Sequence, residues 1–219
     1  MNKTKIEWTN YTWNPIKGIC PVGCWYCYAR RMYQRFKWNP EIRIADEYPN
    51  IISMALYNRK NEINSGKIFV CSTFELFHPL VKKEWRDWVF DNIKYSYHLT
   101  FQILTKFPQN IDRPMPDNVW LGVSITGEDE VYDRYQGLID AKARIKFISF
   151  EPLFKPVYLP IRINWAIIGR LTGHGHKYDP PLSLLKIMVN TFKCNKIPVF
   201  LKDNLKDIWG EPLIQEFPK

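Results

Sequence analysis

The fold is indicated most clearly between residues 100 and 150, where the chain reads TFQILT (100–105), VWLGVSI (119–125) and IKFISF (145–150). Each run is almost continuously apolar, which is typical of strands covered on both faces of a parallel sheet. The same pattern occurs at four other places, 6–13, 68–72, 165–169 and 199–202. Amphipathic segments lie between the later runs, and the chain is shorter than the ~250 residues of a closed eightfold barrel. We therefore predict an α/β fold, an open, partial βα barrel of about six to seven parallel strands.

The composition is that of an ordinary globular protein. Of the 219 residues, 46% are hydrophobic and 24% are charged, which excludes a disordered or collagen-like chain. Because no linker or internal repeat divides the sequence, we expect a single domain over residues 1–219. No apolar run reaches the ~20 residues of a membrane span, and the polar opening gives no secretory signal. We expect a cytoplasmic protein that does not contact a membrane.

Charge and aromatic content are the unusual quantities. Lys and Arg number 31 against 22 Asp and Glu, a net charge of +9, and aromatic residues make up 16% of the chain. An excess of positive charge attracts polyanions, so a nucleic acid or nucleotide is the predicted partner. Residues 28–38 place Arg30, Arg31 and Arg35 beside aromatic side chains, as nucleic-acid grooves do. A solvated basic helix face is the alternative interpretation of this segment.

The five cysteines are distributed unevenly. Three of them, Cys20, Cys24 and Cys27, lie in the stretch CPVGCWYC, whereas Cys71 and Cys194 are isolated. A proline and a glycine inside the stretch oppose a regular helix, so we expect the three thiols on a loop between the first strand and a helix at 28–37. Soft sulfur donors select zinc, copper(I) or an iron–sulfur cluster.

The number of thiols favours the iron–sulfur cluster. A structural zinc needs four ligands, and no fourth His or Cys lies near the stretch. A four-iron cluster held by three cysteines instead leaves one iron open, and this iron can bind and activate a small molecule. Zinc and an uncoordinated, redox-sensing thiol trio are the alternatives.

The spacing Cys-x3-Cys-x2-Cys, with Tyr26 directly before the third cysteine, resembles the signature of the radical S-adenosylmethionine (SAM) superfamily. The resemblance implies a partial βα barrel, a 4Fe–4S cluster on Cys20, Cys24 and Cys27, and SAM as the second cofactor. In that superfamily an electron from the reduced cluster, supplied by a donor such as flavodoxin or ferredoxin, cleaves SAM to methionine and a 5′-deoxyadenosyl radical.

Further motifs narrow the resemblance. Similarity to the phage-associated three-Cys-motif proteins covers nearly the whole chain and rests on TKIEWT (4–9), TWNP (12–15), LFH (76–78), QILTK (102–106), WLGVS (120–124) and SFEPL (149–153). The chain departs from that pattern at Gly169-Arg170-Leu171, where a Gly-Gly-Glu-like stretch is expected. A more distant resemblance, to spore photoproduct lyase, implies Cys71 as a candidate hydrogen-atom donor and Lys106 as a candidate partner of the SAM carboxylate.

The carboxyl ends of the strands supply the remaining candidates, because active sites of βα barrels form there. Together with Tyr26, the predicted cofactor-binding residues are Ser72, Thr73, Glu75, Lys106, Ser124 and Glu151. Backbone groups from Ser72 to Glu75 are expected to accept the SAM ammonium, and Ser124 or Glu151 to bond the ribose or adenine.

Each of these candidates also has a structural interpretation. A polar residue commonly ends a strand, Glu151 suits a structural cap, and Cys71 suits a small buried apolar position. His174 and His176 lie in a Gly-rich loop, for which we predict a lid or a substrate contact, with a solvated loop as the alternative.

We therefore expect a radical SAM enzyme that modifies or repairs a nucleic acid or nucleotide. Two alternatives stay open from the sequence. One is an enzyme that activates or modifies a protein partner, and the other is a non-enzymatic, zinc-stabilised nucleic-acid-binding module.

Overall fold

The computed structural model describes residues 1–45, 65–128 and 130–219. Its strands are β1 (Asn2–Lys3), β2 (Tyr11–Trp13), β3 (Ile16–Lys17), β4 (Arg43–Ile44), β5 (Lys67–Val70), β6 (Thr100–Thr105), β7 (Val119–Ser124), β8 (Ile145–Phe150), β9 (Trp165–Ile168) and β10 (Val199–Leu201). Its α-helices are α1 (Tyr28–Phe36), α2 (Lys83–Tyr95), α3 (Val131–Asp140), α4 (Leu182–Cys194) and α5 (Lys206–Trp209). Short 3-10 turns lie at Pro108–Asn110 and Asp203–Leu205.

The strands form an open, mostly parallel sheet. Eight of them pair in the order β1-β2-β5-β6-β7-β8-β9-β10, and every pair from β2 onward is parallel. β1 adds to the edge in the antiparallel direction, and β3 and β4 form a separate antiparallel pair. The sheet does not close on itself, so the prediction of an open α/β fold with a mostly parallel sheet is confirmed.

The prediction of a first strand over 6–13 is wrong for its first half. Only Tyr11–Trp13 pair in the sheet, and the N–H of Thr9 donates to the carbonyl of Ile6 at 3.2 Å to close a turn. This turn directs Trp8 into the protein interior, where it is 2% exposed. A turn therefore buries the apolar residues in the first half of this run. The pattern of apolar residues in the sequence does not distinguish such a turn from a strand.

The two faces of the sheet have different roles. Since successive side chains alternate between faces, one set of strand residues packs under α2, α3 and α4 in the larger core, including Ile103, Leu121 and Ile148. The opposite set forms a compact aromatic cluster on the inner face, made of Trp8, Phe69, Phe147, Trp165, Ile167 and Phe200. Trp165 begins β9, whereas Phe69, Phe147 and Phe200 lie within their strands.

The C-terminal segment covers the amino end of this inner cluster. Phe217 packs on Trp165 and Phe200 with ring centroids 5.4 and 5.3 Å apart, and the ammonium of Lys67 lies 4.3 Å from its ring centroid. The same segment pairs with β10, because the N–H of Leu201 donates to the carbonyl of Ile214 at 2.7 Å. It therefore shields an edge strand whose backbone groups would otherwise be open to another chain.

Among the described residues, no helix combines the length and the apolar character needed to cross a membrane.

Candidate functional site

A cavity of about 820 Å³ opens at the carboxyl ends of the parallel strands. The residues predicted from the sequence all lie in its wall, namely Cys20, Cys24, Tyr26, Cys27, Cys71, Ser72, Thr73, Glu75, Lys106, Ser124 and Glu151. The structure thus brings together side chains from the loop after β3 and from the ends of β5, β6, β7 and β8. Their individual roles stay predictions.

The cysteine loop covers residues 18–27 and is anchored to α1. The backbone N–H of Gly18 donates to the hydroxyl of Tyr33 at 2.8 Å, and the guanidinium of Arg30 donates to the carbonyl of Cys20 at 3.0 Å. Cys27 is the N-cap residue of α1. The loop is irregular, as its proline and glycine predict, but the short strand β3 precedes it and was not foreseen.

The thiol of Cys20 is half-buried and lies near two backbone N–H groups. All three cysteines of the loop are free thiols. Burial raises the pKa of Cys20 to about 11, although the backbone N–H groups of Val22 and Glu75 donate to its sulfur and act in the opposite direction. Within residues 1–45, 65–128 and 130–219, no three His, Cys, Asp or Glu side chains are grouped closely enough to hold a single metal ion.

Cys71 follows β5 directly and lies beneath the cysteine loop. It is 4% exposed, and its φ of +55° is in the left-handed region that is unfavourable for a residue with a side chain. Its N–H donates to the carbonyl of Trp13 at 2.7 Å, and its sulfur accepts a hydrogen bond from the backbone of Ile16. Burial raises the pKa of the thiol to about 12, so the group carries its proton at neutral pH.

Asn14, which sequence reasoning did not select, fixes the turn after β5. Its side-chain oxygen accepts hydrogen bonds from the hydroxyl of Ser72 at 3.1 Å and from the N–H of Thr73 at 3.3 Å. The hydroxyl of Tyr28 donates to the carbonyl of Ser72 at 2.9 Å. The only sequence signal for Asn14 was its place in the stretch TWNP at the end of β2.

The carboxylate of Glu75 is used within the protein. It accepts hydrogen bonds from the hydroxyl of Thr105 at 2.6 Å, the N–H of Lys106 at 2.8 Å and the N–H of Phe77 at 3.1 Å. Burial raises the pKa of Glu75, and these donors oppose the shift. The side chain ties the loop after β5 to the end of β6, while its backbone N–H faces Cys20.

Opposite the cysteine loop, Lys202 lies between two carboxylates. Its ammonium is 2.6 Å from Glu151 and 3.7 Å from Glu7. Burial favours a lower pKa for Lys202, but the two carboxylates outweigh it and the pKa is raised. Lys202 stands at a strand end, as the run 199–202 predicts, whereas the only sequence signal for Glu7 was its place in the stretch TKIEWT.

Two serine side chains lie between these walls. Ser124 on β7 and Ser149 on β8 are paired in register, and they are 3% and 1% exposed. Both line the cavity. Ser149 was not selected from the sequence because it lies one residue before the end of its apolar run.

The loop over residues 171–180 reaches the cysteine loop through aromatic contacts. Trp25 contacts the rings of His174 and Tyr178 at centroid distances of 5.6 and 5.3 Å. The loop is fastened at its base, because Asp179 lies 2.7 Å from both Arg170 and His176. The structure thus places His174 against Trp25 of the cysteine loop and His176 in an ion-pair cluster. Arg170, which departs from the expected acidic pattern, binds acidic side chains.

Residues 3–206 match the sequence model of a family that is described as "protein of unknown function (DUF5131)". No curated protein and no solved structure matches the chain.

Proposed function

The chain belongs to the DUF5131 family, and from its site we propose that it is a radical SAM enzyme that reductively cleaves SAM at a 4Fe–4S cluster and modifies or repairs a nucleic acid or nucleotide. One observation carries the proposal: the three thiols of the cysteine loop line the same cavity as the polar carboxyl ends of the parallel strands. This is the place where βα proteins bring catalytic groups together.

The donor set fits the cluster. A cluster distributes its cysteine ligands over separate irons, so the three thiols need not converge on one point as they would around zinc. The N–H groups of Val22 and Glu75 that face the sulfur of Cys20 stabilise its thiolate form, which is the form that binds metal. Hydrogen bonds to cluster sulfurs also adjust the reduction potential.

When bound, the cluster supplies the electron that cleaves SAM, and a donor such as flavodoxin or ferredoxin renews it. The protein's own part is to hold and orient SAM. Lys106 pairs with the SAM carboxylate, and the carbonyls around Ser72 and Thr73, fixed by Asn14, accept the ammonium. Ser124 and Glu151 bond the adenosine from the opposite wall.

Cys71 is the candidate hydrogen-atom donor to a substrate radical. Its pKa of about 12 keeps the S–H bond intact at neutral pH. Transfer of the hydrogen atom breaks this bond, forms a C–H bond on the substrate and leaves a thiyl radical. One electron from the reductant and one proton then restore the thiol.

The charge of the wall supports a nucleic acid or nucleotide as substrate. Six cations line the cavity, Lys17, Arg31, Arg43, Lys106, Arg170 and Lys202. Arg170 and Lys202 are paired with carboxylates, but within the described residues no carboxylate lies within ion-pair distance of the other four. Such a surface attracts phosphates.

The test is anaerobic reconstitution with iron and sulfide, followed by reduction with SAM present. We expect about four irons per chain and release of 5′-deoxyadenosine, and we expect Cys24→Ala to abolish that release. Cys194→Ala is the matched control, since Cys194 is exposed at the end of α4 and should leave release unchanged.

Full release of 5′-deoxyadenosine by Cys24→Ala would contradict the proposal. One zinc per chain in colourless protein would support the metal-stabilised binding module instead. Mass spectrometry of DNA and RNA incubated with enzyme and SAM identifies the modified nucleotide, and capture of one stoichiometric protein with unmodified nucleic acid would indicate a protein substrate.

A further inference from the structure

Lys17 and Arg43 form an unusual pair at the entrance of the cavity. They are direct partners across the antiparallel β3–β4 pair, so their side chains emerge on the same face. Both line the cavity. Like charges directly opposite each other destabilise a strand pair. Having two cations at these positions therefore does not stabilise the fold.

Neither cation is neutralised by the described part of the chain. Within residues 1–45, 65–128 and 130–219, no carboxylate lies within ion-pair distance of Lys17 or Arg43. One nitrogen of the Arg43 guanidinium donates to the carbonyls of Glu41 at 3.2 Å and Asn39 at 3.5 Å. These bonds orient the guanidinium but bring no negative charge to it from the described residues. Its other N–H groups stay available as donors for an anion.

The β3–β4 pair is held rigidly in place. The N–H of Ile19 donates to the carbonyl of Pro40 at 2.9 Å, and the N–H of Ala45 donates to the carbonyl of Pro15 at 2.7 Å. Gly18 has a φ of +111°, and a Cβ there would lie 2.4 Å from the carbonyl oxygen of Glu41. These contacts hold the two strands in register, so the two cations are presented side by side as a preorganised pair.

A stacking surface borders the pair. Trp38 lines the cavity and is 45% exposed, and its ring is stacked on that of Phe36 at 5.4 Å with an interplanar angle of 22°. Phe36 is 52% exposed, and the guanidinium of Arg35 lies 5.4 Å from its ring centroid. Cations beside exposed aromatic rings are the combination that binds single-stranded nucleic acids, which offer phosphates and unpaired bases together.

We propose that Lys17 and Arg43 bind a backbone phosphate of a single-stranded nucleic acid, with Trp38 stacking on an adjacent base. The inference deepens the proposed function and rests on it for the reaction that follows, but the phosphate site can be tested without SAM. The backbone of Ile16, the residue before Lys17, donates a hydrogen bond to the sulfur of Cys71, so a nucleotide held here lies near the candidate hydrogen donor.

The test compares the double variant Lys17→Gln/Arg43→Gln with Lys142→Gln/Lys193→Gln. Both variants lose two positive charges, but Lys142 and Lys193 are exposed and lie outside the cavity wall. Binding of fluorescent dT10 is measured by anisotropy without SAM. We expect the first variant to bind about tenfold more weakly, with a salt dependence reduced by about one to two phosphate contacts, and the second to bind like the wild type.

Thermal unfolding gives an independent readout. Removing the repulsion should raise the melting temperature of Lys17→Gln/Arg43→Gln by about 1–2 °C, so weaker binding could not be ascribed to misfolding. Addition of inorganic phosphate, at ionic strength matched with chloride, should stabilise the wild type more than this variant.

Equal dT10 binding by Lys17→Gln/Arg43→Gln and the wild type would overturn the inference, and so would an equal loss in the control variant. A comparison of dT10 with thymidine monophosphate distinguishes the sources of the phosphate. Tighter binding of dT10 supports the polymer, and equal binding would overturn that part of the assignment. Because these measurements omit SAM, the phosphate site can stand even if 5′-deoxyadenosine is never formed.

Discussion

Lys202 determines the charge balance of the wall opposite the cysteine loop. Its side chain is 15% exposed, and those of Glu151 and Glu7 are 26% and 21% exposed. Removing one partner of a largely buried ion pair leaves the other charges without compensation. Substitution of Lys202 by Met therefore leaves two neighbouring carboxylates without the cation that lies between them.

We expect Lys202→Met to lower the free energy of unfolding by about 2 kcal/mol at neutral pH, less than for a fully buried pair because water reaches the group. Urea denaturation measures the change. The double variant Lys202→Met/Glu151→Gln should lose less than Lys202→Met alone, since it also removes a carboxylate. Wild-type stability in Lys202→Met would show that the cluster is not stabilising.

At this scale the sequence predicts residues whose position follows from one element, and it misses those that depend on a distant partner. Ser124 and Lys106 were predictable because each follows or ends an apolar run. Glu7 was not, since its partners Lys202 and Asp203 lie at the other end of the chain. The roles of the three loop cysteines were suggested by spacing alone, before any knowledge of the cavity.

Among the elements, α2 is joined to the segment after β6 by a network of charges. Asp112 accepts hydrogen bonds from Arg113 at 2.7 Å and from Arg86 at 3.1 Å, and Arg113 also reaches Asp87 at 2.6 Å. The hydrogen bond from Arg113 is the main cause that lowers the pKa of Asp112. Burial acts in the opposite direction, but with the hydrogen bond from Arg86 added, the pKa falls to about 2.

We expect Asp112→Asn to cost about 1 kcal/mol at pH 7. A carboxylate whose pKa is depressed in the folded state stabilises the fold fully above its unfolded pKa of about 4, and this stabilisation is lost as the pH falls through about 2. The two proteins should therefore unfold at different urea concentrations at pH 7, and most of this difference should be lost near pH 2. Asp91→Asn is the control, because the Asp91–Lys94 pair is exposed and should contribute little.

A difference in stability between wild type and Asp112→Asn that persists unchanged at pH 2 would contradict the electrostatic explanation.

The bounds of some strands were predictable to the residue, as for β6 and β8, where polar residues mark the ends of the apolar run. The run at 6–13 failed, because a turn can bury the same residues. The pairing of β3 with β4 had no sequence signal, since each is two residues long.

For the molecule as a whole, the C-terminal segment determines how the interior is closed at the amino ends of the strands. It covers β10 and supplies Phe217 to the inner aromatic cluster. We expect a chain that ends at Gly210 to lose at least about 3 kcal/mol of stability, since it exposes a buried aromatic surface. It should also self-associate through the uncovered strand edge.

Urea denaturation and light scattering measure these two effects. A chain that ends at Pro218 is the control, because it removes only the exposed Lys219. Monomeric, fully stable protein ending at Gly210 would show that the segment is dispensable for closing the interior.

The contact between Glu7 and Asp203 joins residues 196 positions apart. This separation affects the order in which parts of the protein can fold during synthesis. The sheet from β5 to β10 adds each strand beside the one made just before it, so it can assemble while the ribosome is still working. Glu7, although synthesised early, can contact Lys202 and Asp203 only after β10 has been made. The wall that carries Glu151 and Lys202 is therefore the last part of the cavity to be completed.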